Sequence, residues 1–140
     1  MNPVPKPISS ASATSTPTHY RTEIVAGRHS LLADELRSRG GQDVGPAPYD
    51  YLLAGLGACT VMTLQMYAER KGWDLGEVRV DLELSKTGDG ATSIQRVIAT
   101  SALLSDDQWT HLLDVAGKTP VTTSLLAGMS IASRRGAVMA

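Results

Sequence analysis

A strong nucleophile occurs at one place in this sequence: Cys59, the single cysteine among 140 residues. A thiol reacts as its thiolate, so Cys59 does chemistry only where a cation or hydrogen-bond donors lower its pKa. It falls several turns inside a predicted helix, beyond the reach of that helix's own positive end. The cation must come from elsewhere, and Arg37 and Arg39, on a glycine-rich stretch, are the candidates. The competing reading makes Cys59 a small buried hydrophobe, sharing a helical face with Leu52, Leu56 and Met66. His19, His29 and His111 are scattered, with no i,i+4 pair and no cysteine beside them, so no metal is expected. Gly40-Gly41 with Gly45 matches no dinucleotide or phosphate-loop fingerprint, and no cofactor is implied. No G-x-S-x-G anchors a serine nucleophile. Asp34-Glu35 reads as a solvated strand end, Asp106-Asp107 as cap chemistry, and Trp73 and Trp109 as core or rim packing.

The element that must position Cys59 is a long helix starting near Pro48 and ending at Gly72, with Asp50 in its first turn and Arg70 and Lys71 in its last. Residues 51–68 carry no charge. Thr60, Thr63, Gln65 and the small residues around Gly55 and Gly57 dilute their apolarity, which argues against a membrane span. A helix apolar on all sides is otherwise surrounded by protein, and in a chain this short that calls for a second subunit. Around it the pattern predicts a hairpin of residues 19–26 and 29–35 turning at Gly27-Arg28. A loop over 37–48 and a second hairpin of residues 77–87 and 91–104 turning at Gly88-Asp89-Gly90 follow. Ser105 and Gln108 have capping-box spacing for a helix through Ala116. Pro120 starts a short helix through Ala127, and Met129 and Ile131 suggest a final strand. Residues 1–18, rich in Pro, Ser and Thr, read as a flexible tail ahead of one domain over 19–140. Strands without regular βα alternation give an α+β fold.

Composition bounds the function. Lys+Arg 13 against Asp+Glu 14 leaves a net charge of −1, which excludes gripping nucleic acid or an anionic membrane by bulk charge. A lone cysteine excludes an internal disulfide framework and fits the reducing cytoplasm.

The stretch over residues 43–73, DVGPAPYDYLLAGLGACTVMTLQMYAERKGW, closely resembles the OsmC/Ohr family of osmotically induced and organic-hydroperoxide-resistance proteins. The Gly-Pro-x-Pro-Tyr loop, the Leu-Leu-Ala-x-Leu-Gly-Ala-Cys-Thr helix and the Met-Tyr-Ala-x-Arg-Lys-Gly-Trp end match together, and the similarity extends over about residues 20–135. The resemblance implies an intertwined homodimer with two sites at the subunit interface. It also implies a cysteine thiolate that reduces a hydroperoxide, an arginine that stabilises it, a glutamate behind that arginine and a second, resolving cysteine.

Onto this pattern Cys59 matches the peroxide-reacting cysteine and Arg39 the arginine. Tyr49 replaces the glutamate, with Asp50 the nearest carboxylate. The family's Lys-Cys-Pro-Val motif stands as Lys118-Thr119-Pro120-Val121, so Thr119 occupies the resolving position and no resolving cysteine exists. Tyr49, Leu56 and Met66 are the expected substrate-binding residues. Two functions remain open. One is a one-cysteine thiol peroxidase of oxidative-stress defence, which reduces organic hydroperoxides and is regenerated by an external thiol. The other is a non-catalytic dimer that binds an apolar small molecule at its interface.

Overall fold

Glycine at the first position of a two-residue connection lets a chain reverse with the twist that strands prefer. Gly27 does this with φ 61°, joining β2 (Thr22–Ala26) to β3 (His29–Ala33) in an antiparallel ladder whose last pair is Ala26↔His29. The structure is a computed structural model and describes residues 3–140. A further strand, β1 (Ala11–Ser15), pairs antiparallel with β2 from Ser15↔Thr22 to Ala11↔Ala26. Part of the segment expected to be a flexible tail is therefore strand. All five β1 side chains are exposed, so the ladder of backbone hydrogen bonds holds it and no apolar alternation announces it in the sequence.

Helix α1 (Pro48–Lys71) has the predicted bounds. Asp50 Oδ2 accepts the Ala47 backbone N–H at 2.9 Å, closing the first turn. At the other end Gly72 takes φ 72°, Trp73 N–H reaches Ala68 O and Gly72 N–H reaches Glu69 O, a Schellman stop. Leu56, Thr60, Leu64 and Ala68, spaced every fourth residue, form its buried stripe. Gly55, Ala58, Met62 and Met66 are exposed, so this chain does not sheathe its own apolar helix.

The chain divides into two compact units, one ending at Ala54 and one beginning at Gly55. In the second unit, β4 (Val78–Lys86) and β5 (Thr92–Thr100) pair antiparallel. Val80↔Ile98, Leu82↔Arg96 and Leu84↔Ile94 stand opposite one another on the inner face. Helix α2 (Asp106–Ala116) begins with the predicted capping box, Ser105 Oγ accepting Gln108 N–H while Gln108 Oε1 accepts Ser105 N–H. Helix α3 (Pro120–Ala127) follows, capped by Thr119. Leu64, Ala68, Leu75, Leu112 and Ala116 make the core of this unit, flanked by Tyr67, Trp73 and Trp109.

The final strand expected around Met129 and Ile131 is absent. Both side chains are exposed and residues 128–140 form no regular element. Two alternating apolar residues do not define a strand without a neighbouring edge to pair with.

Candidate functional site

In the first unit, β3 runs into Asp34, which sequence reasoning placed at a solvated edge. It is buried instead, 3% exposed, because the glycine-rich loop folds over it. Its carboxylate accepts the backbone N–H groups of Glu35 at 2.8 Å, Gln42 at 3.1 Å and Val44 at 3.3 Å. Burial pushes its pKa up, but these three bonds and the charge of Arg21 outweigh it and hold the group below the usual carboxylate value. A Cβ on Gly41 would meet Glu35 O at 2.0 Å, so the loop closes over the carboxylate only with glycine there. Arg39, on the 3-10 turn Arg37–Arg39, lines a cleft of about 540 Å³ with Tyr20, Thr22, Ala33, Asp34, Glu35 and Pro48. Tyr49 is half-exposed in the first turn of α1, and Asp50 is engaged there with Ala47.

In the second unit, α1 presents Cys59 half-buried between its buried stripe and its exposed face. The sulfur lies 3.9 Å from Thr63 Oγ1. Across from it is the start of α3, where Thr119 adopts an extended backbone, accepts Thr122 N–H and hands over to Pro120 at the first helical position. The Val121 N–H and the Thr119 hydroxyl bear on the sulfur. Burial pushes the thiol up. The Val121 amide, the Thr119 and Thr63 hydroxyls and the charge of Arg96 together bring it below the ordinary thiol value. The positive helix end that α1 could not supply thus comes from α3.

Arg96 reaches this site from β5. Its Nη1 donates to Thr60 Oγ1 and Thr122 Oγ1, each at 2.9 Å, and its Nη2 donates to Ala116 O at 2.8 Å. Among the described residues no carboxylate pairs with it. Partial burial lowers its pKa, and the neighbouring Cys59 thiolate raises it. Of the expected substrate-binding residues, Leu56 is buried in the stripe while Met66 is 57% exposed. Sequence reasoning missed Arg96. The available signal was its register: an arginine between Ile94 and Ile98, on the apolar side of a strand, is a charge placed for a reason.

A model of the OsmC-like protein family matches residues 40–134, more than half of the chain. The chain belongs to the OsmC-like family. Solved structures agree on the fold. An osmotic stress induced and detoxification response protein from Psychrobacter arcticus superposes with a TM-score of 0.74 at 17% identity, covering 85% of this chain and 89% of that one. An organic hydroperoxide resistance protein from Legionella pneumophila gives 0.65 at 18% identity, covering 86% and 91%. The organic hydroperoxide resistance protein OhrB of Bacillus subtilis gives 0.59 at 19% identity, covering 83% and 88%. No curated protein matches the chain in sequence. Helix α1 is long and apolar enough to cross a membrane by length and composition alone, and the OsmC-like match gives no indication of a membrane.

Proposed function

We propose that this OsmC-like protein is a one-cysteine thiol peroxidase of the cytoplasm that reduces organic hydroperoxides. The observation that carries the reading is that the Val121 amide in the first turn of α3 and the charge of Arg96, which among the described residues has no carboxylate partner, act to lower the Cys59 thiol. Both features favour the thiolate, which is the reactive form. The Cys59 thiolate attacks a peroxide oxygen and the O–O bond breaks. Cys59 becomes a sulfenic acid and the alkoxide takes up a proton to leave as the alcohol. Thr119 carries no thiol, so an external thiol attacks the sulfenic sulfur, releasing water and forming a mixed disulfide. A second thiol reduces that disulfide and restores Cys59.

The exposed apolar face of α1, with Met62 55% and Met66 57% exposed, supports a homodimer in which a second copy covers it. That face would line an apolar crevice suited to alkyl hydroperoxides. By the family resemblance, Arg39, Tyr49 and Asp50 are proposed as further residues of the active site. Mass spectrometry after one equivalent of cumene hydroperoxide tests the reading: one oxygen atom is expected on Cys59, removable by thiol and absent in Cys59→Ser. An unmodified Cys59, together with a Cys59→Ala variant indistinguishable from the parent protein, would favour a ligand-binding scaffold instead.

A further inference from the structure

The contacts of Arg96 reach three helices, and their direction is fixed because a guanidinium only donates and keeps its protons. One nitrogen, Nη1, donates to Thr60 Oγ1 of α1 and to Thr122 Oγ1 of α3, each at 2.9 Å. Nη2 donates at 2.8 Å to Ala116 O, in the last turn of α2, where carbonyls lack helical partners. The guanidinium is planar, so one rigid fork sets the spacing of all three acceptors. Thr60 is 0% and Thr122 8% exposed, so bulk solvent does not make up for a lost arm.

Fastening these helices does not by itself call for a cation. An apolar side chain of similar length would pack there without the cost of partly burying a charge. Among the described residues no carboxylate offsets that charge. What the fork adds is a fixed distance between two points beside the thiol. Thr60 directly follows Cys59 in α1, and Thr122 lies in the first turn of α3.

We propose that Arg96 is a positioning residue for Cys59. Its fork pins the first turn of α3 to the turn of α1 that carries the thiol. This geometry, beyond the charge itself, sets the reactivity of the sulfur. The role rests on the reading of Cys59 as a reactive thiol and gives the shape of the cation a part in it. A charge acting alone needs no particular acceptor, whereas a clamp fails when one arm is removed.

Iodoacetamide alkylation and cumene hydroperoxide oxidation of Cys59 are timed at pH 7 in the full chain and in five variants, each beside a thermal melt. R96K keeps the charge and loses the fork. T60V and T122V keep the charge and the side-chain shape, and each removes one arm. All three are expected to slow alkylation on the order of tenfold, a scale on which small misplacements cost rate. T60S and T122S return the hydroxyl and are expected to react at the parental rate, even where the missing methyl lowers the melting temperature. A merely structural role predicts the opposite, rates that ignore the hydroxyl and melts that follow packing. Parental alkylation in folded R96K would overturn the clamp and leave only the charge. Slow R96K beside parental T60V and T122V would overturn it as well, and those two variants decide the matter should R96K fail to fold. Peroxide separates the two ideas. If peroxide leaves the parent protein intact while alkylation still depends on the arms, the peroxidase is sunk and the clamp supported. If R96K matches the parent protein in both reactions, the clamp is sunk and the peroxidase kept.

Discussion

In the first unit the Asp34 carboxylate lies beneath a glycine-rich loop and accepts three backbone N–H groups. In the second, the Val121 amide, the Thr119 and Thr63 hydroxyls and the charge of Arg96 lower the Cys59 thiol. Both arrangements stabilise an anion by fixed dipoles, and both pull a pKa down against burial. Their surroundings differ. Asp34 is enclosed and its oxygens are taken up by the loop, so its charge organises backbone. Cys59 is half-buried on the flank of an apolar helix face, and its donors are side chains and one helix end that leave the sulfur approachable. Saturation and enclosure suit the first anion to a structural role, and partial exposure suits the second to the proposed chemistry.

The largest expected effect separates the two sites outright. Cys59→Ser abolishes peroxide-dependent oxidation and leaves the melting temperature within a degree or two. Asp34→Asn lowers the melting temperature by several degrees and leaves the alkylation rate of Cys59 unchanged. Thermal melts and thiol kinetics on the same preparations check both.

Next comes chemistry added to the second site. Thr119 stands where the family motif has its resolving cysteine, and its hydroxyl is one of the groups that lower the Cys59 thiol, so Thr119→Cys is expected to bring a second thiol to the first. After peroxide treatment this variant is expected to lose both free thiols and the parent protein to gain a single oxygen, read by thiol titration and mass spectrometry.

The pH dependence sharpens the first site. Asp34 is depressed in the folded state, so the unfolded chain binds more protons as pH falls. Its stabilisation is complete above the unfolded carboxylate value of 3.8 and is lost as pH drops through the lower folded value. Asp34→Asn should flatten the acid limb of the stability curve measured by circular dichroism.

The smallest effect compares two glycines. Gly41→Ala drives a Cβ to 2.0 Å from Glu35 O and should cost about 2 kcal/mol or more in denaturant melts. Gly27→Ala meets nothing within 4 Å but keeps φ 61°, and should cost only about 1 kcal/mol.

The sequence announced those features whose cause is local. The proline, first-turn carboxylate and terminal glycine of α1, the Ser105–Gln108 box of α2, and Pro120 at the start of α3 are all signals within a few residues of the structure they create. Strand β1 was silent because Ala-Ser-Ala-Thr-Ser exposes every side chain. The strand after Gly128 was overread from Met129 and Ile131, which lack a partner edge. Asp34 was misjudged because its burial depends on a loop ten residues away curling back over it. Arg96 was overlooked because its neighbours at the sulfur come from α1 and α3, distant in sequence. Cys59 itself was legible through its family motif, whereas the groups that tune it were not.

The central claim is that Cys59 is held as a thiolate for reaction with hydroperoxides. The most direct measurement is the second-order rate of Cys59 thiol loss with cumene hydroperoxide, set against free cysteine at the same neutral pH. The account predicts a protein rate above that of free cysteine that persists to lower pH. A rate equal to or below free cysteine, falling away in the same pH range, would contradict it.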